Sequence, residues 1–422
     1  MKKILFVITM LPAWAWGQTL DECQQAAERN YPQIRQYGLI ERTTQLTVAN
    51  IRKGWLPQVS AQAQATYQSD VTAWPGEMKT MMSGMGIDLK GLTKDQYRVG
   101  VDVQQTIYDG GVISSQQRIV REQGKVQKAQ TEVSIYQVRK RVNEMYFGLL
   151  MLEEQMLLNK DLQQLLASNE RKLESMTQQG TAAQSDLLSV RAERLKAEQK
   201  ATELASQRRM LQRMLSAFCG IEVKDVKKPE KIAILSQHTG QRPELKALDA
   251  QIGVLNAQEK ALNAALMPKV GVFAQGFYGY PGLNMFEDMM RRKWSLNGII
   301  GARVTWNIGA LYTRKNDKAK LQLQRDMTET SREVFLFNNN LEQMQQHETI
   351  ERYRRLMDSD SEIIALRQAV RKAAESKLSH GIIDVSDLLR EINQENAACI
   401  ERSVHEIEML KEIYDNQYTT NN

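Results

Sequence analysis

The sequence predicts a mixed α/β membrane protein: two tandem repeats in which strands of a transmembrane β-barrel lead into very long helices. Three observations predict it. Four stretches of about ten residues alternate apolar and polar side chains. Pro is absent from one long segment, and both Gly and Pro from another. One helix-to-strand pattern occurs twice.

At the start of the chain, Lys2 and Lys3 precede an apolar core from Ile4 to Trp16, and Ala15-Trp16-Gly17 offers small residues where a signal peptidase cuts. Residues 1–17 are therefore expected to be a signal peptide, leaving 405 of the 422 residues from Gln18 onward. That apolar core is too short to span a membrane. Cys23 is not at the new N-terminus, which argues against an N-terminal lipid anchor. The formal charge is +6, or +4 without Lys2 and Lys3, and the charges are interspersed, so no nucleic-acid partner is expected. Cys23, Cys219 and Cys399 lie far apart with no paired spacing, signalling neither a disulfide framework nor a zinc site. His238, His347, His380 and His405 are equally scattered and read as solvated or partly packed residues. No run of 18 apolar residues follows the signal peptide, so no transmembrane helix is expected.

The duplication begins with "NYPQIRQYGLIERTTQLTVANIRKGWLPQVSAQAQATY" from Asn30, matched 211 positions later by "QRPELKALDAQIGVLNAQEKALNAALMPKVGVFAQGFY" from Gln241. Each opens a polar helical stretch at a Pro and places a second Pro 25 residues on, Pro32 and Pro57 against Pro243 and Pro268. Farther along, "ESMTQQGTAAQSDLL" matches "ESKLSHGIIDVSDLL" at an offset of 201, pairing Gly180 with Gly381 and Asp186 with Asp387. The expected organisation is a first repeat over 18–218, a linker over 219–240 and a second repeat over 241–422. Each repeat holds a helix, a β-hairpin and a long helical hairpin.

Strands follow the second Pro of each pair. Val59, Ala61, Ala63, Ala65 and Tyr67 alternate with polar residues, as do Val99, Val101, Val103 and Ile107. In the second half Val270, Val272, Ala274, Gly276 and Tyr278 share a face. So do Trp294, Leu296, Ile300, Ala302, Val304, Trp306 and Ile308, opposite Asn297, Arg303, Thr305 and Asn307. Apolar on one face and polar on the other, four such strands suit a barrel with lipid outside and water inside, although a soluble sheet would alternate too. Asp102 and Arg303 are expected to face the lumen. Tyr67, Tyr97, Tyr108, Tyr278, Tyr280, Trp294 and Trp306 at the strand ends suit an interfacial aromatic girdle.

Long helices come next. No Pro falls between Pro75 and Pro229, and the 71 residues from Ala310 to His380 hold neither Gly nor Pro. Val138, Val142, Met145, Leu149, Leu152 and Met156 form a heptad seam. A helix from Val112 to Thr177 would run on the order of 100 Å, with a counterpart from Leu311 to Leu378. Each ends at a glycine turn, and a helix returns from Ser185 or Val385. Four strands leave open edges that lipid forbids, so several copies must share one barrel. The hairpins, expected to lack a core of their own, would likewise pack on copies.

"AAERNYPQIR" with "WLPQVS", "QTIYDGG", and the paired "GTAAQSDLL" and "GIIDVSDLL" together resemble the TolC-type outer-membrane efflux protein family, over nearly the whole mature chain. The resemblance implies a homotrimeric, twelve-stranded outer-membrane β-barrel, four strands per chain, continued by a long periplasmic α-helical barrel. It implies an exit duct for small molecules or proteins in a tripartite efflux or type I secretion system of a Gram-negative cell. Its partners would be a periplasmic adaptor (membrane fusion) protein, an inner-membrane pump and outer-membrane lipid.

The family closes its tunnel near the two hairpin turns, so the resemblance places the gate at Asp186, Asp387, Arg390 and Glu391. Arg390 stands where the family has a second acid. Leu378 and Ile383 occupy the positions of the family's gate Tyr and Arg, so its latch is not carried over. Adaptor contact would involve Gln179, Gly180 and Thr181 with His380, Gly381 and Ile382. Helix capping is the plainer role for the two aspartates.

Met78, Met81, Met82, Met85, Met285, Met289 and Met290 cluster between strands, where thioethers can hold cuprous ions or simply fill apolar loops. No nucleophile–base pair, phosphate loop or metal constellation stands out, so neither enzyme activity nor a cofactor is expected. The alternative reading is an exported coiled-coil scaffold or surface structural protein without channel activity.

Overall fold

The computed structural model describes residues 17–230 and 242–421. Residues 1–16 of the expected signal peptide and 231–240 of the expected linker lie outside the described residues, as do 241 and 422. The order of elements is α1 (Leu20–Asn30), α2 (Arg35–Arg52), β1 (Gln58–Tyr67), α3 (Gly76–Gly84), β2 (Asp95–Tyr108), α4 (Val112–Gln178), α5 (Gln184–Cys219), α6 (Pro243–Ala265), β3 (Lys269–Tyr280), α7 (Met285–Arg291), β4 (Ser295–Thr305), α8 (Ala310–Ser379) and α9 (Val385–Thr420). Helix α4 has 67 residues, α8 has 70, and both return helices have 36. No described helix is long and apolar enough to cross a membrane.

The chain forms two compact units, each drawing segments from both halves of the sequence. The sheet unit comprises 38–127 and 248–330. In it, β1-β2-β3-β4 form one antiparallel sheet in sequence order. The register puts the expected apolar residues on one face: Ala61 pairs with Val101, Val101 with Gly276, Ala274 with Ile300, and Tyr278 with Leu296. This face is open: Leu296 is 83% exposed and Ile300 85%.

Three expectations need correction here. The register shifts between Thr106 and Tyr108, so Tyr108, not Ile107, pairs with Val270. One extra residue in a strand reverses the alternation beyond it. Strand β4 is shorter than its alternation, because Trp306 donates from Nε1 to the Leu266 carbonyl at 2.9 Å and Ile308 already accepts a helical bond from Leu311. Trp294 precedes the strand, and Trp306 and Ile308 follow it. The face expected to be polar also carries Phe273, Phe277 and Ile299. The Arg98 guanidinium lies 3.7 Å from the Phe277 ring centre and that of Arg303 lies 5.0 Å from Phe273. Gly100 pairs with Phe277 because a Cβ there would come within 2.8 Å of the Phe277 Cβ.

Aromatics stand at both strand ends. Trp294 lies 6.0 Å from Tyr97 and 5.4 Å from Tyr278 at one, while Tyr108 and Trp306 mark the other. Met289 is buried with Leu92 and Tyr280, whereas Met78, Met81, Met85, Met285 and Met290 are exposed.

The hairpin unit comprises 17–37, 128–230, 242–247 and 331–421. Helix α1 opens with a capping box: Thr19 Oγ1 accepts from Glu22 N, and Glu22 Oε2 accepts from Thr19 N. The heptad seam is real, with Val138, Val142, Leu149 and Leu152 buried. The hairpins do have a core within one chain, contrary to the expectation above. One cluster joins α1, α4, α5 and α9 around Phe147 and Leu215, and a second sits by the turns. A third joins Ile350 of α8 to Met409 and Ile413 of α9. Four helices from one chain suffice to bury these faces. An apolar row on α8 still stays uncovered, Val334, Phe337, Leu341 and Met344.

Candidate functional site

The two hairpin turns share one backbone solution. Gly180 and Gly381 adopt positive φ, +75° and +71°. In the first turn Thr181 N donates to Met176 O at 2.9 Å and Gly180 N to Thr177 O at 3.1 Å. In the second, Ile382 N donates to Lys377 O at 2.9 Å and Gly381 N to Leu378 O at 3.0 Å. Both are Schellman caps, in which a left-handed residue lets the chain reverse while satisfying the last carbonyls. The residues expected to meet an adaptor, 179–181 and 380–382, are all exposed. Their side chains act locally as well: Thr181 Oγ1 donates to Met176 O at 3.0 Å, and His380 Nδ1 lies 2.7 Å from Ser376 O.

Beneath the turns, Leu173, Val190, Val385, Leu388 and Ile392 are buried together. Leu378 and Ile383 pack against this cluster. Both side chains thus serve apolar packing between the hairpins.

The expected gate residues fall just beyond it. Asp186 is in the first turn of α5, where Ala183 is the N-cap and supplies no side-chain bond. Among the described residues the Asp186 carboxylate has no hydrogen-bond or ion-pair partner. Asp387 is in the first turn of α9, but the capping is done by Asp384, whose Oδ1 accepts from Asp387 N at 2.9 Å. Asp387 Oδ1 instead accepts from Arg390 Nη2 at 2.9 Å, and Glu391 lies 3.6 Å from Arg390 Nε. Arg390, Asp387 and Glu391 therefore form one connected group on α9. In the sheet unit, Asp102 and Arg303 lie on the same face; Arg303 is exposed, while Asp102 is only 8% exposed.

Sequence reasoning missed the ion pairs that tie each hairpin together. Arg194 of α5 donates from Nε to Glu170 of α4 at 2.6 Å and from Nη1 to Glu198. Arg371 of α8 donates from Nε to Glu395 of α9 and from Nη1 to Glu375 at 2.7 Å. Burial works to lower the Arg371 pKa, but its bonds to Glu395 and Glu375 outweigh that and raise it. The 201-residue offset that aligns the turn glycines places Glu170 on Arg371 and Arg194 on Glu395. That offset was the available signal: the bridge is kept and its charges are exchanged. Asp384, three residues after the turn glycine, was the other legible cap.

Comparison with known proteins bears on the fold. The model of the family "Outer membrane efflux protein" matches residues 23–220. No curated protein matches the sequence. Among solved structures, the chain resembles the CmeC outer membrane channel of Campylobacter jejuni at 13% identity, covering 95% of this chain and 85% of that one, TM-score 0.64. The open-state MtrE outer membrane channel of Neisseria gonorrhoeae is 14% identical over 96% and 89% of the two chains, TM-score 0.64. The outer membrane protein VceC of Vibrio cholerae is 13% identical over 95% and 94%, TM-score 0.62. By sequence over residues 23–220 this chain matches the outer membrane efflux protein family, and along nearly its whole length its fold resembles that of these outer membrane channels.

Proposed function

We propose that the chain is the exit duct of an export machine, a homotrimer in which four strands from each copy complete a twelve-stranded barrel. The repeats 18–218 and 241–422, joined by 219–240, supply the hairpins of a periplasmic tunnel. The cargo would be small molecules or proteins, delivered by an inner-membrane pump through a periplasmic adaptor that grips the turns 179–181 and 380–382. Asp186 with Asp387, Arg390 and Glu391 would line the closing end. Asp102 and Arg303 would face the barrel lumen.

One observation carries this reading: the four-stranded sheet leaves β1 and β4 unpaired at its edges and holds Leu296 and Ile300 almost fully exposed. Lipid solvates such a face but tolerates no open edge, so strands of further copies must complete the barrel. The uncovered row on α8 offers those copies a second contact.

Residues on opposite faces test it. Val101→Arg, on the apolar face at the middle of β2, should weaken assembly by about 2–4 kcal/mol. Arg303→Asp should leave trimers intact and alter single-channel conductance in planar bilayers. Equal assembly defects from both, or a folded wild-type monomer by light scattering in detergent, would refute the duct.

A further inference from the structure

The hairpin unit brings together two thiols that stand 196 positions apart in the chain. Cys23 lies on α1 and is fully buried, while Cys219 ends α5 and is 2% exposed. Cys219 Sγ lies 3.4 Å from the Cys23 carbonyl oxygen. The closeness of the two thiols pushes Cys23 up and Cys219 down from the ordinary thiol value. The surroundings hold the pair in register. Asn30 Nδ2 donates to the Ala217 and Phe218 carbonyls, each at 3.2 Å, and the Tyr31 ring lies 5.8 Å from Phe218. Gly220 turns with φ +69° against Asn30, where any Cβ would come within 2.5 Å. Gln18 N donates to Asp225 O at 3.0 Å, and Lys227 N donates to Gln18 O at 3.1 Å.

We propose that Cys23 and Cys219 form an intramolecular disulfide in the exported protein, locking α1 to the end of the first hairpin. The proposal rests on placement in the cell envelope, where disulfides form and persist, unlike in the cytosol. Exchange with a periplasmic protein disulfide balances the step. The Cys219 thiolate attacks one oxidant sulfur, forming a mixed disulfide and releasing the other sulfur as a thiolate. The Cys23 thiolate then attacks the Cys219 sulfur and expels the remaining oxidant thiolate. Two electrons and the two thiol protons pass to the oxidant, which ends as a dithiol. The exchange occurs as the chain folds, before this core closes. Cys399, on α9, remains a thiol.

The test uses the full chain taken from the outer-membrane fraction, denatured in iodoacetamide without reductant, digested and analysed by mass spectrometry. Starting from that fraction separates failure of the disulfide from failure of the localisation. The expected result is alkylation of Cys399 alone, with a reductant-sensitive peptide pair joining Cys23 to Cys219 in most chains. Prior reduction should expose all three thiols, and Cys23→Ser should leave Cys219 open to alkylation without reduction. Alkylation of Cys23 and Cys219 in most unreduced chains overturns the proposal, as does linkage of either to Cys399 or to a second chain.

Discussion

The two hairpin ends share a backbone and differ in charge. Both close on a glycine at positive φ with the same pair of carbonyl bonds. In the first hairpin Arg194 reaches from the return helix to Glu170 on the long helix; in the second Arg371 reaches from the long helix to Glu395 on the return helix. The aspartates six residues past each glycine diverge too: among the described residues Asp186 has no side-chain partner, while Asp387 is paired to Arg390. A backbone cap depends on conformation and tolerates few residues, whereas an ion pair needs only opposite signs across the same gap. Geometry is thus preserved where side-chain polarity drifts.

The largest effect should come from the bridges. A double-mutant cycle on Arg371 and Glu395 should give a coupling of about 0.5–3 kcal/mol, larger than for Arg194 and Glu170. The second pair is the less exposed, 13% and 14% against 27% and 19%. Exchanging the first pair, Glu170→Arg with Arg194→Glu, should recover much of the stability that either single reversal loses. The new guanidinium would find Glu174 four residues on, the counterpart of Glu375. A double variant as unstable as the sum of its singles in thermal unfolding would break the comparison.

Glycine comes next. Gly180→Ala and Gly381→Ala should each cost about 1–2 kcal/mol, from the left-handed backbone alone, since nothing lies within 4 Å of the added carbon. Unequal losses in denaturant unfolding would mean the two turns are not equivalent. A smaller difference should appear at the caps. Asp384→Ala should cost about 1 kcal/mol, and Ala183→Asp should gain part of that, because only the second return helix now has a side-chain cap.

The smallest effect is electrostatic. If both aspartates line the pore, Asp186→Asn should lower cation preference more than Asp387→Asn, and Arg390→Asp should raise it. Reversal potentials in a salt gradient measure this order. No movement in any variant would remove these residues from the pore.

Much of this was legible in the sequence. Missing Pro, joined in α8 by missing Gly, and the flanking turn glycines marked α4 and α8 to within a residue or two, because breaker residues act locally and carry their penalty anywhere. Alternation located all four strands, and the glycines located both turns. What escaped was cooperative. The bulge at Ile107 depends on a partner strand, and Trp306 leaves β4 for a carbonyl that only folding brings near. The face expected to be polar holds two phenylalanines because glycines on neighbouring strands leave room for them, which a single-strand pattern does not reveal.

By itself, then, the sequence determined the local elements, their order and their twofold recurrence, since propensity, periodicity and turn chemistry are properties of short stretches. Only the tertiary structure decided which charges meet. It gave Asp387 a partner and, among the described residues, left Asp186 without one, turned Leu378 and Ile383 into packing residues, and set Cys23 beside Cys219. Such pairings depend on separations of a few ångströms between residues tens to hundreds of positions apart, and no local pattern encodes them.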